Sequence, residues 1–187
     1  MTSSWNTQIK NKNFLSPIGF KFTLAKFPKV SYFCQSANIP AINLGIQNQP
    51  TPFRPLPLEG FIDYDPLNIT FLIDEDLENY MIMHNWIRGL GTPDSGVDRV
   101  QYEDKMKEIS DIPINDRYAD ATLFVLNSNY NANFEVVFKD LYPVSLSALE
   151  FNATVDGTEY AMGNVSLKYM GYEVRTTSTG TRVTQLS

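Results

Sequence analysis

The 187-residue chain contains one histidine, His84, and one cysteine, Cys34. A Ser–His–Asp or Cys–His site would have to use that histidine. It sits mid-helix in the run MIMHNW, where a satisfied or interface histidine is the better reading than a catalytic one. A single cysteine excludes an intrachain disulfide and a multi-cysteine zinc site. There is no glycine-rich phosphate loop and no dinucleotide fingerprint. No apolar run reaches membrane-spanning length. The opening MTSSWNTQIKNKN is polar and lacks an apolar signal core, so the expected compartment is the cytoplasm in which the chain is made. The Asn-x-Ser/Thr triplets at Asn68, Asn152 and Asn164 then carry no meaning. Charge is scarce, at 19% of residues, and basic residues are outnumbered 15 to 21, for a net charge of −6. That argues against a basic nucleic-acid-binding face. It leaves room for a surface that nucleic acid slides past without sticking.

Aromatics are abundant, with 12 Phe, 10 Tyr and 2 Trp, and hydrophobic residues make up 43%. Such a low charge density suits a chain that covers much of its surface with other copies or partners. The length fits one domain, or one domain with extensions.

The stretch Pro66–Gly91 organises the rest. Leu67, Ile69, Phe71 and Ile73 alternate with Asn68, Thr70 and Leu72, close to the period of two of a half-buried strand. The acidic cluster Asp74, Glu75, Asp76 and Glu78 follows. It suits a helix N-terminus, with Asp74 or Asp76 as cap. Leu77, Tyr80, Met83, Ile87 and Leu90 then recur at spacings of three and four, one apolar stripe of an amphipathic helix. Gly89, Gly91 and Pro93 end it. Leu77, Met83 and Ile87 are expected against the sheet. Trp86, one position off the stripe, is expected at a contact between subunits.

Elsewhere strand signals dominate. Residues 1–18 read as a polar arm. Phe20, Phe22 and Leu24 form a strand, and Val30, Tyr32 and Phe33 begin a second that should pair with it as a hairpin. Residues 40–60 hold five prolines and few charges, a poor central strand but a plausible extended loop or long edge hairpin. Its apolar residues Ile42, Leu44, Ile46, Phe53, Leu56 and Leu58 are unusual in solvent and point to packing on another subunit. Residues 92–118 read as an irregular insertion. Ala121–Leu126, Phe134–Lys139, Leu141–Leu149 and Phe151–Val155 continue the β pattern, with an asparagine-rich turn at residues 127–133 and an Asp156-Gly157 turn. A long strand over Val165–Gly171 follows, and residues 176–187 are a polar tail. The class is mainly β: an antiparallel sandwich or barrel segment with one flanking helix.

Two further clusters carry chemistry less well than structure. Asp63, Asp65, Asp74, Glu75 and Asp76 offer oxygen ligands, but lack calcium-loop spacing. Helix-dipole compensation and a solvated turn explain them better. Phe20, Phe22, Tyr32 and Phe33 look like a stacking platform, yet core packing fits an acidic domain better. No catalytic, cofactor or metal residue is therefore assigned.

The order of elements resembles one family. A first strand pair ends in Ser36-Ala-Asn-Ile-Pro40, and a proline-containing excursion follows. Next come Leu67-Asn-Ile-Thr-Phe71, the acidic turn Asp74-Glu75-Asp76 and a helix bearing Asn85-Trp86. A meander closing on Asn164–Tyr172 completes the set. Together, over about Gly19–Val174, this resembles the tail tube proteins of contractile-tail bacteriophages and the tube-like baseplate proteins that initiate the tube. The resemblance implies a β domain over 19–175 that joins edge to edge into hexameric rings. It also implies that the rings stack into a hollow tube through which DNA passes without specific binding. Sheath or baseplate subunits are the implied neighbours and the virion the implied location. The excursion would correspond to the family's long hairpin or loop between rings, and the helix to its flank helix. Residues 1–18 and 92–118 depart from a plain tube subunit and leave open the repeating subunit or a ring at the baseplate or head end. A carbohydrate- or protein-binding β-sandwich of a virion or cell surface is the competing reading.

Overall fold

The computed structural model describes residues 14–91, 100, 104, 118–151 and 160–177. The elements are β1 (Phe20–Leu24), α1 (Pro28–Tyr32), β2 (Cys34–Ala37), β3 (Ile42–Gln49), β4 (Leu56–Tyr64), β5 (Leu67–Leu72), α2 (Glu78–Leu90), β6 (Ala119–Leu126), β7 (Ala132–Leu146), β8 (Met162–Lys168) and β9 (Gly171–Thr176). All but the first residue of the expected strand at 151–155, the Asp156-Gly157 turn, most of the insertion, and the far ends of the arm and tail lie outside the described residues.

β7 ties the molecule together. Its first half pairs with β6 on one side and β9 on the other, and its second half pairs with β8. The sheet order is β1-β6-β7-β8-β5-β2, with β9 also on β7, and all pairings are antiparallel. The strand changes partners at Asp140, which takes φ 54°. Aspartate tolerates this left-handed geometry, and the Asp120 carboxylate accepts the Asp140 N–H at 3.1 Å.

Alternation then places one row of each strand inside. Phe22, Leu24, Ala121, Leu123, Val136 and Phe138 face Leu67, Ile69, Phe71, Val165 and Leu167 in a single core. This matches the period-two reading of these strands. The asparagine turn forms as expected: the Asn127 side chain accepts the N–H groups of Asn129 and Asn131, and Tyr130 takes φ 59°.

Four expectations are corrected. β1 and β2 do not form a hairpin. β1 pairs with β6 and β2 with β5, because the chain between them folds into the single turn α1, with a proline in its first turn. Proline is preset for that position, and the Ser31 hydroxyl accepts the Leu24 N–H at 2.7 Å, closing that end of β1. The long terminal strand is two strands, β8 and β9, with a bend at Met170. The Met170 N–H donates to the Lys139 carbonyl at 3.2 Å, so the break follows the kink of β7 beside it. Neither Asp74 nor Asp76 caps α2. The residue before the helix is Leu77, at φ 58° and without a side-chain cap. The stripe is displaced accordingly: Asn79, Ile82, Met83 and Trp86 are buried, Leu77 is exposed and Ile87 only half-buried.

Candidate inter-subunit surface

Among the described residues β3 and β4 pair only with each other, forming a two-stranded sheet off the path of the seven-stranded one. The excursion is thus a hairpin. Pro50, Pro52 and Pro55 lie in its tip, and Pro57 in β4 opposite Asn48. A ribbon with two free edges tolerates a missing donor there. Near its middle the register shifts between Leu44 and Ile46. Gly45 and Gly60 make the shift possible: a Cβ on Gly60 would lie 2.8 Å from the Gly45 carbonyl oxygen.

The hairpin is exposed along most of its length. Ile42, Leu44 and Ile46 share one face by alternation. Ile62 lies opposite Leu44 and Tyr64 opposite Ile42, on the same face. Leu58 and Leu56 lie opposite Gln47 and Gln49 on the other face. Ile46 is 73% exposed, and Phe53, at the tip, 98%. All six hairpin residues expected to meet a neighbour are therefore on the surface. Phe61 and Ile62, just past the Gly60 boundary expected from sequence, are exposed too. Ile62 and Tyr64 carry the period of two on beyond Gly60.

Trp86 is the exception. It is 3% exposed, and its ring lies 5.0 Å from that of Phe27. The Lys26 ammonium sits over both rings, at 5.6 Å and 5.8 Å. The tryptophan is on the buried stripe of α2, so it is a core residue and not a surface contact.

The base of the hairpin is fixed to the body by an aromatic cluster. Tyr64, Phe138, Tyr169 and Tyr172 meet at centroid distances of 5.2–6.1 Å. Tyr169 donates its hydroxyl to the Asp65 carbonyl at 2.9 Å, and Lys168 donates to the Tyr64 carbonyl at 2.8 Å. Tyr172 reaches the Pro40 carbonyl at 3.4 Å. Both ends of the hairpin are thereby tied to β8 and β9. Burial pushes the Tyr169 hydroxyl up to about 12, helped by Tyr172, Tyr64 and the Asp65 carboxylate. Burial, and then Tyr64, also raises Tyr172.

The other singled-out residues do not converge. His84 is half-buried on α2, and its Nδ1 has no hydrogen-bond partner among the described residues. Cys34 is on β2, its thiol pushed up to about 11 by burial. Among the described residues, no three His, Cys, Asp or Glu side chains gather as a metal cluster. In the acidic turn the Asp74 carbonyl accepts the Leu77 N–H. Phe22 is in the core and Tyr32 exposed, so the suspected platform is not one surface.

No curated protein is similar in sequence. Among solved structures, the tube-terminating cap of the anti-feeding prophage superposes with a TM-score of 0.63 at 15% identity, covering 94% of this chain and 99% of that one. A chain of the sheath–tube complex of the extracellular contractile injection system PVC, in its extended state, gives 0.56 at 13% identity, covering 94% and 99%. A chain of the sheath/tube terminator of the same system gives 0.57 at 12%, covering 88% and 99%. These likenesses establish the fold. The model of the phage tail tube protein family matches residues 2–175. This chain belongs to the phage tail tube protein family and is a structural subunit of a tail tube.

Proposed function

We propose that six copies of this chain close into a ring by pairing the free edges of their sheets, and that rings stack through the β3–β4 hairpin into a conduit for DNA. The observation that carries this reading is the hairpin itself. It exposes Ile42, Leu44, Ile46, Phe53 and Ile62 outside the core while its base is held by Tyr169 and Lys168. An apolar ribbon held so firmly is costly in water unless another surface covers it. Among the described residues β1, β2 and β9 each have an unpaired edge, and such edges would invite uncontrolled association unless closed by a fixed partner. Sheath, baseplate or cap subunits are the further neighbours, in keeping with the sheath–tube and cap complexes in which similar chains occur. The location is the phage tail, after synthesis in the host cytoplasm. The polar arm and the 92–118 insertion suit a ring at one end of the tube as well as the repeating subunit. No observation favours a carbohydrate-binding module.

Electron microscopy of the purified chain tests the reading. Six-membered rings or tubes are expected, and a strictly monomeric particle at high concentration overturns it. Paired Ile46→Asp and Phe53→Asp substitutions should leave rings that no longer stack. The number of copies per virion separates the two positions: six for a single terminal ring, many more for the repeating tube.

A further inference from the structure

The apolar side of the β3–β4 hairpin changes face along its length. In the half next to the body, one face carries Ile42, Leu44, Ile62 and Tyr64, and the other carries Asn43 and Asp63. Beyond the register shift the pattern inverts. Leu58 and Leu56 lie on the second face, opposite Gln47 and Gln49, while the first face carries Glu59 opposite Ile46 and Pro57 opposite Asn48. A ribbon apolar on one face throughout could lie flat on one surface. A ribbon whose apolar side inverts halfway needs a cover on each side.

The two apolar halves fit each other. Leu58 and Leu56 are two residues apart, as are Ile42 and Leu44. With an offset of about five residues, near 17 Å, the outer half of one hairpin sets Leu58 and Leu56 over Ile42 and Leu44 of another that points the same way. The same offset carries the tip of the first to the register shift of the second. Arg54 stands at that tip, and Glu59 stands at that shift, on the face being covered. Every acidic residue of the chain lies at or after Glu59, so the hairpin tip has no carboxylate of its own before that point. Both side chains are exposed, and among the described residues neither is in an ion pair. The tip is stiff: the Thr51 hydroxyl donates to the Arg54 carbonyl and accepts the Arg54 N–H at 3.3 Å, between Pro50, Pro52 and Pro55. A fixed apex lowers the ordering cost of docking.

We infer that successive copies overlap hairpin on hairpin, the outer half of one covering the inner half of the next, with Arg54 against the Glu59 of that next copy. The inference rests on the stacking reading above and names the surface that the hairpin meets: the same hairpin of a second copy. The joint is heterologous. Each hairpin covers once and is covered once, so the contact repeats along a polar stack and does not close on itself as a two-fold pair does.

Cysteine cross-linking of assembled Cys34→Ser chains tests it. A chain carrying both Leu44→Cys and Leu56→Cys should give, under mild oxidation, a ladder of trimers and longer multimers. The two positions lie on opposite faces, so they cannot bridge within one hairpin. Each single variant should give no cross-link. Dimers from either single variant reveal a two-fold contact and overturn the inference, as do assembled tubes without a ladder, which leave the stacking reading standing. Failure of the parent chain to assemble overturns both. A charge swap decides the matter if the cysteine variants do not assemble. Arg54→Glu and Glu59→Arg should each raise the concentration needed for stacking about tenfold, and the double variant should return it close to that of the parent. Equal losses in the singles and the double overturn the pairing of Arg54 with Glu59 and the offset it defines.

Discussion

The Asn79 side chain donates to the Leu72 carbonyl at 2.7 Å and accepts the Asp74 N–H at 3.2 Å. One fully buried amide therefore bridges the end of β5 to the first turn of α2. Replacing Asn79 with Ala strands two backbone groups, and the loss is expected at about 2–3 kcal/mol. Asn79→Asp, nearly the same shape, sets a carboxylate oxygen against the Leu72 carbonyl and should cost at least as much at neutral pH. Urea unfolding of the two variants measures both. A loss under about 0.5 kcal/mol, typical of an exposed polar residue, would sink this account of the turn.

Gly163 lies under a buried ring. A Cβ there would stand 2.9 Å from Phe71 Cζ, and Phe71 has no room to retreat within the core. Gly163→Ala should destabilise by about 1–3 kcal/mol, the usual range for overpacking. Phe71→Leu shortens the obstructing side chain, so the double variant should lose less than the sum of the singles. Strict additivity in thermal unfolding would show that the contact is not the cause.

Gly60→Ala tests the hairpin separately. Its new Cβ would meet the backbone of Gly45, which cannot give as a side chain can. The register shift between Leu44 and Ile46 should be lost or moved, turning Leu56 and Leu58 to the opposite face. The seven-stranded sheet shares no strand with the hairpin, so its unfolding midpoint should hold while assembly, followed by light scattering, falls. A variant that assembles like the parent would remove the hairpin from the interface.

Tyr169 gives a pH dependence. Its folded pKa is raised above the ordinary 10.0 to about 12, so the neutral hydroxyl is favoured in the fold. The stability it contributes is fully present below pH 10 and is lost as pH rises through about 12. Tyr169→Phe removes that step and the bond to the Asp65 carbonyl, at about 1 kcal/mol near neutrality. Melting temperatures from pH 8 to 11 should therefore fall less steeply for the variant. Parallel slopes would contradict the assignment.

The strands were legible in the sequence because a half-buried strand leaves a period of two, and Leu67–Phe71 and Phe20–Leu24 leave it plainly. Their partners were not legible. β1 joins β6 across nearly a hundred residues, while the nearby Val30–Phe33 run looked like a strand and folded into α1. The hairpin surface is legible from misplaced apolar residues among prolines as far as Gly60. The phase of α2 was missed for a local reason. Its most buried position near the start is polar, Asn79, and the apolar Leu77 before it sits in a left-handed turn outside the helix.

That phase error decides how Trp86 should behave. A surface tryptophan at a subunit contact could be truncated with little effect on the isolated subunit, and assembly alone would suffer. The structure instead places its ring on Phe27 and under Lys26, within the core that also holds Met83 and Leu24. Trp86→Ala should then cost about 3–5 kcal/mol, as large-to-small core changes do. Trp86→Phe keeps the contact with Phe27 and should recover more than half of that loss. Denaturation under conditions where the chain is monomeric measures both, with assembly scored separately. A stable Trp86→Ala monomer that fails only to assemble would return Trp86 to the surface and overturn the packing of α2 described above.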